Sequence, residues 1–358
     1  MLAYVSVFAC KRLDSLRGLS FLPYLTEVRA SHTRIQHVDA LQNCPTLESL
    51  SVRMCGELTS LEGLVGLRHL KVLDAYCTGI VNVDGVRGCT ALETINVNNC
   101  SELTSLDGLS RLVRLKTLDA SCTNIDGVGS LKHCATLERI NVNHCKNVSS
   151  LNGLSQLPCL QYVHASETGI SSLDALRGCQ MLESVEVRGC RALTSLSGLS
   201  ELQCLVAVDA AGSGITDIKS LQSCPALMVV DVDSCDRLTS LKGLSGLRRL
   251  KQVYACSTAI TNVDDLQGCT ALESLSVSEC RNLTSLSGLL GLQNLRSVYA
   301  VNTGLTTVEP LLHCPALDTV LVDHDQLPGV DALKKRDNMT VAFSTEWSNG
   351  NSVVSDAI

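Results

Sequence analysis

Aromatic side chains are scarce: they are 3% of the 358 residues, with one Trp, three Phe and six Tyr. A core without rings has to be built from Leu, Val, Ile, Ala and Cys. Interiors pack close to crystal density, so one aliphatic layer repeated many times fits this composition better than an irregular core. Basic runs are absent as well, and the formal net charge is −7. That balance argues against a surface for nucleic acid or for an anionic membrane. No apolar window reaches the roughly 18 residues of a helical membrane span. The nineteen cysteines include no Cys-x-x-Cys pair, and no Cys/His set has zinc-finger spacing. The opening MLAYVSVFAC lacks the basic start and cleavage site of a signal peptide. It falls into register with the later repeats and reads as the first strand.

What the chain does have is repetition. Residues 89–109 (CTALETINVNNCSELTSLDGL) and 269–289 (CTALESLSVSECRNLTSLSGL) share thirteen of twenty-one positions, both cysteines included. Cys10, Cys55, Cys100, Cys145, Cys190, Cys235 and Cys280 are spaced by 45, as are Cys44, Cys89, Cys134, Cys179, Cys224, Cys269 and Cys314. A third column, from Ala30 to Ala300, is pure alanine at the same period. Fixed self-similarity at this length signals a solenoid, in which each unit buries its apolar edge only by stacking on the next.

Each 45-residue unit splits into halves of 23 and 22 residues, Leu92 to Arg114 and Leu115 to Thr136. Both follow L-x-x-L-x-L-x-x-N/C-x-L, with Cys in the ninth slot of one half and Thr, or once Ser213, in the other. The L-x-L alternation gives a short strand with one face in and one face out. The following "LTSLDGLSRL" places Leu every third residue, which suits a 3₁₀-like or irregular convex segment. Gly63, Gly108, Gly153, Gly198, Gly243 and Gly288 sit beside a convex Leu, where glycine relaxes a tight bend. This pattern resembles the leucine-rich-repeat family, in its short-repeat form seen in phosphatase-regulator and internalin-type proteins, over nearly the whole chain. Its cysteine content is similar to that of kinetoplastid leucine-rich-repeat proteins, some described as adenylate cyclase regulators. The resemblance implies an α/β solenoid: a curved horseshoe with a parallel concave sheet of about fifteen strands and mostly irregular or 3₁₀ convex segments. It also implies a protein partner. Intracellular relatives of this repeat type include phosphatase regulators and substrate receptors of ubiquitin ligases.

The ninth-slot cysteines stand where the family has Asn, and the second column replaces a convex Leu. Thr keeps a true hydroxyl, whereas Cys has only a weak S–H donor, so the ladder here is expected to be drier and less strongly bonded. Column mates two coils apart are about 9.6 Å apart, beyond the roughly 7 Å that a disulfide tolerates. Buried structural thiols are the expectation, and so many free thiols point to a reducing compartment, cytosolic or nuclear. The sequons at Asn147, Asn282 and Asn338 would then be idle. Cys77, Cys122 and Cys256 fall outside the columns, near the Thr slot at the sheet edge.

No nucleophile–base pair, phosphate loop or convincing carboxylate pair is found, and the eight histidines are scattered. The chain reads as non-catalytic, with no cofactor and no metal. Function is expected on the concave face. There the fifth-slot column includes Asp74, Asn96, Asp119, Asn141, His164, Glu186, Asp209, Asp231, Tyr254 and Tyr299. The seventh-slot column includes Asn98, Asn143, Arg188, Asp233 and Cys256. Glu186, Asp209 and Asp231 are consecutive, with Asp233 beside them, and like charges side by side on a sheet are destabilising. Arg188 offsets part of this, and a basic partner segment would relieve the rest. Tyr254 and Tyr299 continue the stripe as interface anchors. His164, Glu186, Arg188, Asp209, Asp231, Asp233, Tyr254 and Tyr299 are therefore the candidate partner-binding residues. Two other readings stay open: a solvated acidic face, or a divalent cation among converging carboxylates. Upstream, Asn96, Asn98, Asn141 and Asn143 read as a stack bonding to itself across strands.

The division expected is a solenoid over 1–326, a cap over 327–344 and a flexible tail over 345–358. The cap would hold a short helix near 330–336 and a closing strand near 339–343. The first strand exposes Leu2, Val5 and Val7 along an open edge, which another subunit covers unless the chain is a piece of something longer. The resulting picture is a non-catalytic scaffold holding a protein partner. The alternatives are a structural subunit of a larger assembly, or a regulatory subunit of a phosphatase, cyclase or ubiquitin ligase.

Overall fold

The computed structural model describes residues 2–343. The chain divides into two compact units, Met1–Ala192 and Leu193–Ile358. Each unit is a stack of coils, and each coil contributes one strand of three or four residues. Nine strands run from Tyr4–Ser6 to Ser184–Glu186 in the first unit, and seven from Ala207–Asp209 to Thr340–Phe343 in the second. Within a unit every strand pairs in parallel with its successor. The register is uniform, as in Val28↔Leu50↔Leu73↔Ile95 and Val230↔Val253↔Leu275↔Val298. Parallel neighbours need a crossover of about a dozen residues or more, and the rest of each coil supplies it.

The L-x-L alternation accounts for the strands. The fourth and sixth slots, such as Ile95 with Val97 and Leu118 with Ala120, are inside and essentially inaccessible. Each large aliphatic side chain buried this way is worth about 1.5–3 kcal/mol. After the strand, every third-residue Leu is buried in turn, and the backbone there makes short 3₁₀ segments. The serine just before a buried convex Leu caps the turn that follows: the hydroxyls of Ser60, Ser105, Ser150, Ser240 and Ser285 accept the N–H two residues on, at 3.0–3.2 Å.

A longer period appears here. The 3₁₀ segments Asp39–Asn43, Gly129–His133, Lys219–Ser223 and Glu309–His313 have five residues. Those at Asp84–Val86, Asp174–Leu176 and Asp264–Leu266 have three. The short ones are followed by Gly88, Gly178 and Gly268 at φ +81°, +88° and +89°, left-handed residues that end the turn. The convex segments therefore repeat every four coils.

The convex glycines do not relax a bend. Of Gly63, Gly108, Gly153, Gly243 and Gly288, only Gly243 has a positive φ. What they share is proximity: a Cβ on any of them would run into the backbone carbonyl of Val38, Val83, Val128, Ile218 or Val263 in the preceding coil. Glycine is required because adjacent coils touch backbone to backbone.

At the C-terminal end, a helix occupies Val330–Lys334 with Val330 and Leu333 buried, and Thr340–Phe343 pairs in parallel with Thr319–Val322. At the first strand Leu2, Tyr4 and Phe8 are exposed, whereas Val5 and Val7 are half-buried. The expected tail over 345–358 lies outside the described residues.

Candidate functional site

Inside each unit, Thr and Cys act as pairs around one acceptor. Six threonines from Thr33 to Thr303 donate to the alanine carbonyl three residues earlier, at 2.7–3.2 Å. At five of these carbonyls the Cys of the next coil donates as well, at 3.0–3.2 Å, as Cys55 does to Ala30 and Cys145 to Ala120, and Cys235 donates to Ala210 in the coil that carries Ser213. Thr and Cys also touch, with Oγ1–Sγ distances of 3.2–3.4 Å. An alanine carbonyl flanked by such a pair takes two donors, a hydroxyl and the weaker S–H. Convex cysteines donate likewise to a leucine carbonyl of the preceding coil, at 3.1–3.6 Å. Burial pushes the thiols of Cys89, Cys134 and Cys235 up to about 11. Cys10 alone is exposed. Cys77 and Cys122 take the left-handed position after the strand, at φ +53° and +55°. Cys256 lies 2.9 Å from the Ser276 hydroxyl, and burial with the Asp233 carboxylate pushes its thiol up to about 12.

The outward face follows a backbone rule that the sequence columns concealed. The N–H of the seventh slot points away from the ladder and needs an acceptor. An Asx side chain in the fifth slot provides it. Asp74, Asn96, Asp119, Asn141, Asp209 and Asp231 each accept from the N–H two residues on, at 2.9–3.3 Å. In four other coils the seventh-slot side chain of the preceding coil serves instead. Asn143 accepts from Ser166 N–H, Ser166 from Arg188, Asp233 from Cys256 and Ser278 from Val301, at 2.6–3.2 Å. The asparagines do not stack on themselves across strands: Asn96 and Asn141 bond their own coil's backbone, and Asn98 Nδ2 reaches Ser121 Oγ at 2.7 Å.

The candidate residues sort accordingly. Asp209 and Asp231 are in register, 8% and 6% exposed, and hold backbone N–H groups. Asp233 also holds one. His164, Glu186, Tyr254 and Tyr299 stand in coils whose seventh-slot N–H is served from elsewhere, so they are excused from that duty. His164 Nδ1 lies 2.7 Å from Glu186 Oε2. His164, Glu186 and Arg188 belong to the first unit and the other five residues to the second. Tyr254 has its phenol pushed up by burial first, then by Asp231, Asp233 and Tyr299. Among the described residues no group of three or more His, Cys, Asp or Glu side chains is placed to hold a metal ion, and no helix is long and apolar enough to cross a membrane.

The second slot of the strand face adds a charge column that the fifth and seventh slots do not include. It carries Glu48, Lys71, Glu93, Lys116 and Glu138, alternating in sign. Lys71–Glu48, Lys116–Glu93 and, in the second unit, Lys251–Glu273 pair at 2.8–2.9 Å. The 22–23-residue spacing of these charges is the sequence signal that marks them.

Solved structures with this architecture were found. An internalin, InlF, from Listeria monocytogenes superposes with a TM-score of 0.71 at 18% identity, over 89% of this chain and 86% of that one. A Leptospira interrogans leucine-rich-repeat protein gives 0.70 at 15%, over 96% of both chains. The functional domain of InlJ from L. monocytogenes, described as including a cysteine ladder, gives 0.67 at 21% identity; 84% of this chain spans 65% of that one. No protein-family model matches the sequence, and no curated protein matches it. The chain has the leucine-rich-repeat solenoid fold. Repeat proteins of this architecture are interaction scaffolds in general.

Proposed function

We propose that this chain is a non-catalytic scaffold whose outward strand face, the concave face of the repeat family, holds a basic segment of a protein partner. One observation carries the reading. The scaffold positions repeat, while His164, Glu186, Tyr254 and Tyr299 are neither core nor backbone caps. The carboxylates of Asp209, Asp231 and Asp233 hold N–H groups with one oxygen and take part in other interactions, and those of Asp231 and Asp233 oppose ionisation of the Tyr254 phenol. Nineteen free thiols support a cytosolic or nuclear setting.

The test keeps the caps and removes the charge. Asp→Asn at 209, 231 and 233 leaves Oδ1 as acceptor. The triple variant is expected to melt within a few degrees of the parent and to lose one partner in affinity purification from the native cell. An unchanged partner set refutes the basic-segment reading. A second reading, an element of a larger assembly, draws on exposed Leu2, Tyr4 and Phe8. It predicts slowed amide exchange at that strand in the native complex.

A further inference from the structure

In the first unit, consecutive coils carry the backbone cap that an aspartate or an asparagine supplies equally well, yet the two alternate. The register runs Asp74↔Asn96↔Asp119↔Asn141. Capping pins Oδ1 of Asn96 on the Asn98 N–H and Oδ1 of Asn141 on the Asn143 N–H, both at 3.0 Å. Asn143 Oδ1 is pinned by the Ser166 N–H at 2.7 Å. The cap thus uses the oxygen of each amide and leaves its Nδ2 without a hydrogen-bond partner among the described residues. All three side chains are half-buried. Among the described residues, the one solvent-shielded side-chain nitrogen or oxygen that lacks a partner is Asn98 Oδ1. The Nδ2 groups of Asn96, Asn141 and Asn143 therefore reach solvent, each aimed by a planar amide whose oxygen is tied down. Asp119 stands between Asn96 and Asn141. Its Oδ1 holds the Ser121 N–H and hydroxyl, and its Oδ2 is met by Asn98 Nδ2 at 3.4 Å.

We infer that this row receives the main chain of a partner segment in the polyproline II conformation, two of its carbonyls, one turn apart, accepting from Asn96 and Asn141. The inference rests on the strand face as the docking face, but not on the acidic residues proposed to hold a basic segment. Uncharged donors on either side of a carboxylate suit a neutral acceptor, whereas an anion would be repelled by Asp119. Spacing selects the conformation. Asn96 and Asn141 lie two strands apart, ~9.6 Å. A polyproline II chain has three residues per turn at ~3.1 Å each, so carbonyls along one edge recur every ~9.3 Å. It makes no internal hydrogen bonds, which leaves those carbonyls free to accept. Along one edge of a β-strand they recur every ~6.8 Å and fall out of step. Donors held by caps and a chain already extended both lose little freedom on binding.

The experiment uses the full chain with ¹⁵N-labelled asparagine and three probes: acetyl-nonaproline amide, a Gly-Ser peptide of the same length, and maltohexaose. Nonaproline is expected to give saturable shifts of the Asn96 and Asn141 side-chain amides. It should give none at Asn124, whose Nδ2 is already bonded to the Ser101 carbonyl. The flexible Gly-Ser peptide should bind several-fold more weakly, and the sugar should give no shift. Asn141→Asp keeps the cap oxygen but removes the donor, so it should abolish the response at Asn96. Asp119→Asn should retain that response, with melting as the check on folding in both. No shift from nonaproline, equal shifts from Gly-Ser, or an unchanged Asn96 response in the Asn141→Asp protein would each overturn the inference. Shifts from maltohexaose alone would overturn it in favour of a glycan. If the Asp→Asn triple loses its partner while nonaproline gives no shift, the docking face stands and only this inference fails. If the triple keeps its partner while nonaproline binds as expected, the basic-segment reading fails and this inference stands.

Discussion

Replacing Gly153 by alanine distinguishes two roles for the convex glycines by the sign of a stability change. Gly153 does not sit in the left-handed region, so its backbone is open to any L-residue. If glycine were merely tolerated there, with neither φ nor a neighbour requiring it, alanine would stabilise by about 0.4–1 kcal/mol by restricting the unfolded chain. The added methyl, however, would meet the Val128 carbonyl and lie 2.9 Å from Gly129 Cα, both backbone of the preceding coil. Backbone cannot rotate away as a side chain can, so the two coils must separate. Overpacking of this kind costs about 1–3 kcal/mol, which leaves a net loss of about 1–2 kcal/mol after the entropic gain. Gly127, whose Cβ would meet nothing within 4 Å, is the internal control and should gain about 0.4–1 kcal/mol as alanine. Urea unfolding followed by far-UV circular dichroism measures both. Because coil stabilities are local in a solenoid, amide exchange at Arg139–Asn141 and Tyr162–His164 reports the loss most directly. A Gly153→Ala protein as stable as the parent would refute the backbone-contact argument.

Further outcomes are expected from the same geometry. Thr123→Val keeps the shape but removes one of two donors to Ala120; with Cys145 still bonded there, it should cost only about 1 kcal/mol in urea unfolding. Asn141→Ala should cost about 1–2 kcal/mol by orphaning the Asn143 N–H, while Asn141→Asp should be nearly neutral. In native alkylation read by mass spectrometry, Cys10 should react first, with Cys89, Cys134 and Cys235 protected until unfolding. Those three thiols are raised from 9.0 to about 11 in the fold. Their contribution is therefore full below pH 9, where both states are protonated. It is lost as the pH rises to about 11, because only the unfolded thiols ionise there. Alkaline unfolding midpoints check this. Lys116→Ala should change stability by less than about 1 kcal/mol, with the difference vanishing at high salt.

The fold was legible because its determinants are periodic. Alanine at 30, 75 and 120 and cysteine at 55, 100 and 145 announce a stacked coil, since only stacking repeats an environment. The roles of individual polar residues were harder to read, because they depend on backbone direction. Asp209 and Asp231 looked like a strained acidic pair on the surface, yet each is largely buried and accepts a backbone N–H. Nothing in their spacing tells an Asx cap from a binding carboxylate. The glycine column misled for a related reason: sequence reveals that a side chain is missing, but not whether φ or a neighbour forbids it. Gly88, Gly178 and Gly268 were readable in principle, as they alternate with Asn43, His133, Ser223 and His313. The shorter period masked them.

The direct measurement of the account's central claim is a photo-cross-linking map made in the native cell. Benzoylphenylalanine would replace Tyr299 on the strand face in one protein and the exposed Val65 on the convex side in another. A partner adduct from position 299 and none from position 65 is the result predicted. An adduct from position 65 alone would contradict the claim that the outward strands are where this scaffold holds its partner.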